Sequence, residues 1–202
     1  LLAIEAARRS ANSGKKVMLV CFNRLLSTWL ERETRDIHNV TTGTLHSHMI
    51  SVAGANVPVA PDSSYWENTL PDTAIRHLLE HEGTTFDELI IDEAQDILSK
   101  SELWECLKLF IKGGLSEGNY LILGDFEYQN LDFSPSLLKE NRREIEQFCF
   151  KWPLDESSVA GQIRHRRWFE GMSSSRVTIS SLSYCGERSL SMSAAVAKTG
   201  DQ

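Results

Sequence analysis

Two adjacent carboxylates, Asp92 and Glu93, follow directly on the apolar run Leu89-Ile90-Ile91 and lead into Ala94-Gln95-Asp96. An apolar strand that delivers a pair of acids into a polar turn has the parts that phosphoryl transfer needs. One carboxylate holds Mg²⁺, and the second orients or deprotonates an attacking water. Asp92 suits the metal and Glu93 the water. The same string has a plainer reading, as an acidic strand-to-helix turn that stabilises the N-terminus of the following helix. It also admits a metal-dependent nuclease with Asp92, Glu93 and Asp96 as ligands, for which Asp125 is the one good further acid.

These acids need a scaffold to aim them. Val17 to Phe22 is apolar throughout, as a strand buried on both faces should be. Val40 to Leu45, Glu88 to Asp92 and Asn119 to Asp125 read as three further strands. Helical spacing predicts helices over Leu1 to Ser13, stopped by Gly14, and over Asn23 to Glu33, Thr73 to Glu82 and Ser101 to Ile111. Ser51 to Pro71, rich in Pro, Gly and Ser, reads as a loop or insertion. Strands alternating with helices imply a parallel, doubly wound α/β sheet. Ligands of such sheets sit at the carboxyl ends of the strands. Asn23, Thr44 to His46, Asp92-Glu93 and Gly124-Asp125 all fall at such ends. Trp29 and Trp104 sit at helical core spacing and read as core, not as base-stacking platforms.

Composition sets limits. The 202 residues are 41% apolar and 24% charged, ordinary for a globular domain. No apolar run reaches the roughly 18 residues that span a bilayer. The first residues do not form a signal peptide, since no basic region precedes the apolar stretch and Glu5 interrupts it. No membrane partner and a cytoplasmic location are therefore expected. The four cysteines are far apart and never read C-x-x-C, so buried reduced thiols are expected. The net charge of −7 excludes nucleic-acid binding by bulk electrostatics and leaves only a local groove for it. After about Pro153 the sequence becomes serine-rich and loses periodicity, although Arg176 to Leu182 could form a short strand. Domain boundaries are expected at 1–153, the folded domain, and 154–202, a poorly ordered tail in which Arg164, Arg166 and Arg167 form a solvated basic patch.

Asp92-Glu93-Ala94-Gln95-Asp96 resembles the DEAQD box, or Walker B motif, of UvrD/Rep-like superfamily 1 helicases. Val20-Cys21-Phe22-Asn23-Arg24-Leu25-Leu26 resembles their motif Ia. Thr42-Gly43-Thr44-Leu45-His46-Ser47 resembles motif Ib. Leu123-Gly124-Asp125-Phe126-Glu127-Tyr128-Gln129 resembles motif III, with Phe126 where proline is common. The order matches too, over about Leu1 to Leu131. The resemblance implies a RecA-like P-loop fold that hydrolyses ATP with Mg²⁺ and steps along single-stranded DNA. It implies that Asp92 holds the metal, Glu93 activates water and Gln129 senses the γ-phosphate. Gln95 and Asp96, with Gly124 and Asp125, would serve the nucleotide site, and Asn23, Thr44 and His46 would line the DNA track.

The resemblance also exposes a gap. No G-x-x-x-x-G-K-[ST] occurs in the chain, and Leu1 to Arg9 reads like the helix that directly follows that loop. The chain is thus expected to begin just past the phosphate-binding loop and its strand, and to lack the arginines of a second motor domain. A frameshift or premature end near Pro153 is the expected cause of the change there. Weak ATP binding and negligible turnover are expected of this chain alone. A non-hydrolysing nucleic-acid-binding module remains the alternative.

Overall fold

A computed structural model of the chain describes residues 1–81, 85–124, 135–147, 150–152 and 181–185. Its elements in chain order are helix α1 (Leu2–Asn12), strand β1 (Val17–Cys21), helix α2 (Arg24–Thr34), strand β2 (Val40–Thr44) and helix α3 (Leu45–Ala53). A π-helical turn (Tyr65–Thr69) runs into helix α4 (Leu70–Glu80), followed by strand β3 (Glu88–Ile91). Then come α5 (Gln95–Leu98), α6 (Ser101–Lys108), α7 (Gly114–Glu117), β4 (Asn119–Gly124), α8 (Pro135–Glu146), β5 (Phe150–Trp152) and β6 (Ser181–Cys185).

Four strands, in the order β2-β1-β3-β4, are all parallel, which makes this an α/β fold as expected. Their registers align: Val20 lies beside Ile91, and Ile91 beside Ile122. Because successive strand residues point to opposite faces, the sheet sorts its apolar side chains into two cores. Val17, Leu19, Ile90, Leu121 and Leu123 meet α1 and α2 through Ala3, Ala7 and Leu30. Met18, Val20, Leu89, Ile91, Tyr120 and Ile122 meet the helices of the other face through Met49, Ala74, Trp104 and Leu107. Continuous apolar runs in β1 and β3 are the consequence, since neither face of these strands is exposed to water. Beyond β4 the sheet turns antiparallel, with β6 beside β4 and β5 beside β6. Apart from β6, the tail expected over 154–202 lies outside the described residues, as do Arg164, Arg166 and Arg167.

The largest departure from expectation is the stretch Ser51 to Pro71. Ser51 to Ala53 complete α3, and the π-helical turn and the first residues of α4 fill 65–71. Leu45 and Met49, one turn apart, bury α3, and Gly54 ends it with φ +56°, a conformation glycine adopts without strain. Pro71 stands in the first turn of α4, where its missing N–H costs nothing. Trp104 is fully buried, as expected of core, and its Nε1 donates to Glu144 at 2.8 Å. Cys21 and Cys106 are buried free thiols. Among the described residues no helix is long and apolar enough to cross a membrane.

At the amino ends of the strands, the Glu88 carboxylate is buried and Lys15 Nζ meets it at 2.7 Å. Lys15→Met leaves that carboxylate without its cation, at an expected cost of about 1–3 kcal/mol. Urea denaturation measures the loss, and the double variant Lys15→Met/Glu88→Met should recover part of it.

Candidate functional site

Parallel register carries the carboxyl ends of β1, β2, β3 and β4 to one rim of the sheet, and Asn23, Thr44, His46, Asp92, Glu93, Gln95, Asp96 and Gly124, the expected site residues that are described, follow or end these strands. At β3 the strand ends at Ile91, and Asp92 keeps a last link to its neighbour by donating its N–H to the Val20 carbonyl at 2.9 Å. The chain then reverses sharply. Glu93 takes φ +53°, a left-handed conformation that non-glycine residues rarely hold. Ala94 donates its N–H to the Leu123 carbonyl of β4 at 2.9 Å, which ties the turn to the next strand. Strain of this kind persists only where surrounding bonds fix it, and it concentrates at functional turns.

The turn leads straight into α5. Gln95 is buried, and its Nε2 donates to the Glu93 carboxylate at 2.7 Å. That bond pins the side chain that the sequence marks as the water-activating group. Asp96 lies in the first turn of α5 but does not cap it. Burial, then the charge of Glu93, pushes the Asp92 carboxyl above the usual carboxylate range, and the same two causes in the same order raise Asp96. Cys21 ends β1 beside this group. Burial first, then the charges of Asp92, Glu31, Asp96 and Glu93, push its thiol up to about 12, so it stays protonated and unreactive. The rim at β3 is therefore a place of crowded, poorly solvated negative charge.

No three His, Cys, Asp or Glu side chains among the described residues converge closely enough to hold a metal ion. A nuclease-type centre built on Asp92, Glu93 and Asp96 gains nothing from this geometry. Magnesium bound through one carboxylate, with water and phosphate oxygens completing its shell, does not need such a cluster.

At the ends of β1 and β2, two expected site residues act as helix caps. Asn23 Oδ1 accepts from the N–H groups of Leu25 and Leu26 at 2.8 and 3.2 Å, starting α2. Thr44 Oγ1 accepts from the Ser47 N–H at 3.1 Å, starting α3. Both therefore have structural work that explains their residue types. His46 packs edge-on against Phe22 and Trp66, with ring centroids 5.5 and 5.4 Å apart, and Trp66 packs edge-on against Tyr65. Desolvation lowers the His46 pKa, offset in part by a hydrogen bond with the Trp66 main chain, so the ring is neutral at pH 7. Its Nε2 is closed off from solvent without a hydrogen-bond partner.

Sequence reasoning missed Tyr65, Trp66 and the pair Lys100–Glu67. Lys100 Nζ meets Glu67 at 2.6 Å, so the segment after α5 is linked to the π-helical turn. The only signal was the adjacent Tyr65-Trp66 in a stretch otherwise poor in aromatics. Gly124 ends β4 beside the acidic turn, whereas Asp125 and Gln129 lie outside the described residues.

The chain is thus an α/β domain with an acidic site at the carboxyl rim of a parallel sheet. It matches no protein-family model, no curated protein and no solved structure.

Crowding of Asp92 has a measurable consequence. Its folded-state pKa lies above its unfolded one, so the folded state holds the proton more tightly, and stability falls as pH rises through that range. At neutral pH the ionised carboxylate therefore opposes folding. Asp92→Asn should unfold at a higher urea concentration than the wild type at pH 7, and a lower midpoint would contradict the crowding described above.

Proposed function

We propose that this chain is part of a RecA-like motor domain of a UvrD/Rep-like superfamily 1 DNA helicase or translocase. The observation that carries the reading is the turn at the end of β3: two carboxylates on a left-handed hinge, bound to the end of β4 by the Ala94–Leu123 hydrogen bond. The DEAQD string alone does not require that strain or that link, and a water-activating group fixed between two strand ends does.

Asp92 has the chemistry to take Mg²⁺. It is a poorly solvated carboxylate repelled by Glu93, and a cation relieves that repulsion. The metal, when bound with ATP, neutralises charge on the β- and γ-phosphates. Glu93, held by Gln95, is the base that orients the attacking water. Gln129 would read the γ-phosphate, and Gln95, Asp96, Gly124 and Asp125 would complete the nucleotide site. Without a Gly-rich loop and its lysine, most of the triphosphate charge lacks a partner in this chain. Its own ATP affinity is accordingly weak and its turnover negligible. Hydrolysis and stepping on single-stranded DNA belong to a longer protein with a second motor domain.

One observation favours a second reading, in which the rim binds single-stranded nucleic acid without hydrolysis. Phe22 and His46, which follow β1 and β2, and Trp66 and Tyr65 of the π-helical turn form a continuous series of half-buried, edge-packed rings. The part of such a series left open to solvent suits base stacking.

Calorimetric titration with ATP in the presence and absence of Mg²⁺ separates the two. The motor reading predicts weak, magnesium-dependent binding that Asp92→Asn abolishes, with no phosphate release above background. Magnesium-independent binding that Asp92→Asn leaves intact would contradict it. Oligonucleotide binding that survives Glu93→Gln in the absence of any ATP binding would favour the second reading.

A further inference from the structure

Adjacent residues of the π-helical turn touch two different parts of the rim. Trp66 packs edge-on against His46, which follows β2, with ring centroids 5.4 Å apart. Glu67 pairs with Lys100, whose Nζ lies 2.6 Å away. Lys100 stands between α5 and α6. Its N–H donates to the Ile97 carbonyl at 3.0 Å, and its carbonyl accepts from the Trp104 N–H at 3.0 Å. Since the acidic turn runs straight into α5, the main chain fixes Lys100 just beyond Asp96.

We propose that the π-helical turn is a conformational link between the acidic turn and the ring series, set by how Lys100 divides its charge between Glu67 and Asp96. What the link transmits rests on the reading of the acidic turn as a metal–triphosphate site. A lysine ammonium is a single point charge on a flexible stem, so two carboxylates compete for it. Lys100 sits on Glu67, yet its charge still reaches Asp96, whose carboxyl is raised by burial and Glu93 and drawn back down by Lys100. A cation at the acidic turn would cancel the pull of Asp96, leave Lys100 to Glu67 and hold Trp66 against His46. Departure of that cation would relax the hold.

The turn is suited to move. π-helical turns are rare and occur at functional positions. None of the residues Tyr65–Thr69 is fully buried, so little core packing resists a shift. The hydrogen bond between His46 and the Trp66 main chain makes the imidazole follow the turn. Nε2 of His46, closed off without a partner, has no hydrogen bond to lose as it does so. Two such arrangements need differ only in which carboxylate Lys100 serves, and a charge change at the acidic turn biases between them.

Fluorine NMR of the full chain labelled with fluorotryptophan tests the link without metal or nucleotide, so its failure is distinct from a failure of the motor reading. Trp66→Phe identifies the Trp66 signal. Lys100→Met and Glu67→Gln should shift that signal the same way, with no further shift when the two are combined. Asp96→Asn should shift it in the opposite direction, and this shift should vanish in the Lys100→Met background. Lys100→Arg, which keeps the charge, should stay near the wild type. The Trp29 signal, from the other face of the sheet, should hold its place throughout and shows that the variants fold. A Trp66 signal that Lys100→Met leaves unmoved, or an Asp96→Asn effect of the same size with and without Lys100, would overturn the proposal.

Discussion

Everything at the rim depends on the in-register parallel pairing of β1, β3 and β4. It sets Val20, Ile91 and Ile122 side by side, so the residues that follow them emerge together. The pairing is held by burial from both sides, because alternate residues of each strand feed separate cores above and below the sheet. A slip of one residue in any of these strands would exchange the faces of every side chain in it. It would also move Asp92 away from Val20 and Ala94 away from Leu123. The position of the acids is thus a product of core packing, not of contacts among the acids, which repel one another.

That repulsion separates the site from the rest of the fold. Several charges elsewhere are paired: Lys15 with Glu88, Lys108 with Glu105 and Glu144, Lys112 with Asp87. At the end of β3 the chain concentrates Asp92, Glu93 and Asp96, buries them in part and accepts a left-handed Glu93. Natural sequences accumulate such locally unfavourable choices where function requires them. A magnesium-bound polyphosphate is the kind of ligand that would offset this cost, and the resemblance of DEAQD to a helicase box offers the same answer on separate grounds.

Sequence reading found the strands that packing makes unambiguous. Runs such as Val17 to Cys21 and Leu121 to Leu123 are apolar because both faces are covered, and no other element of their length has that pattern. It did not find α3, whose nine residues mix serine and histidine with apolar positions and lack a clear polar face. It did not find the π-helical turn, whose irregular hydrogen bonding leaves no period in the sequence. Of the site, the residue types were legible but their local duties were not. Asn23 and Thr44 stood out as strand-end polar residues, and their oxygens turn out to start helices. The positive φ of Glu93 arises from tertiary ties to β1 and β4, which no local pattern of residues encodes.

The most direct test of the central claim is paramagnetic broadening of backbone amide signals by Mn²⁺ in the presence of ATP, with Mn²⁺ standing in for Mg²⁺. If the end of β3 faces a metal-bound triphosphate, the signals of Asp92 to Asp96 and of Gly124 should broaden first and recover when excess Mg²⁺ is added. Broadening that leaves this turn untouched while affecting other surfaces would show that the acids serve some other purpose, and the motor reading would fail.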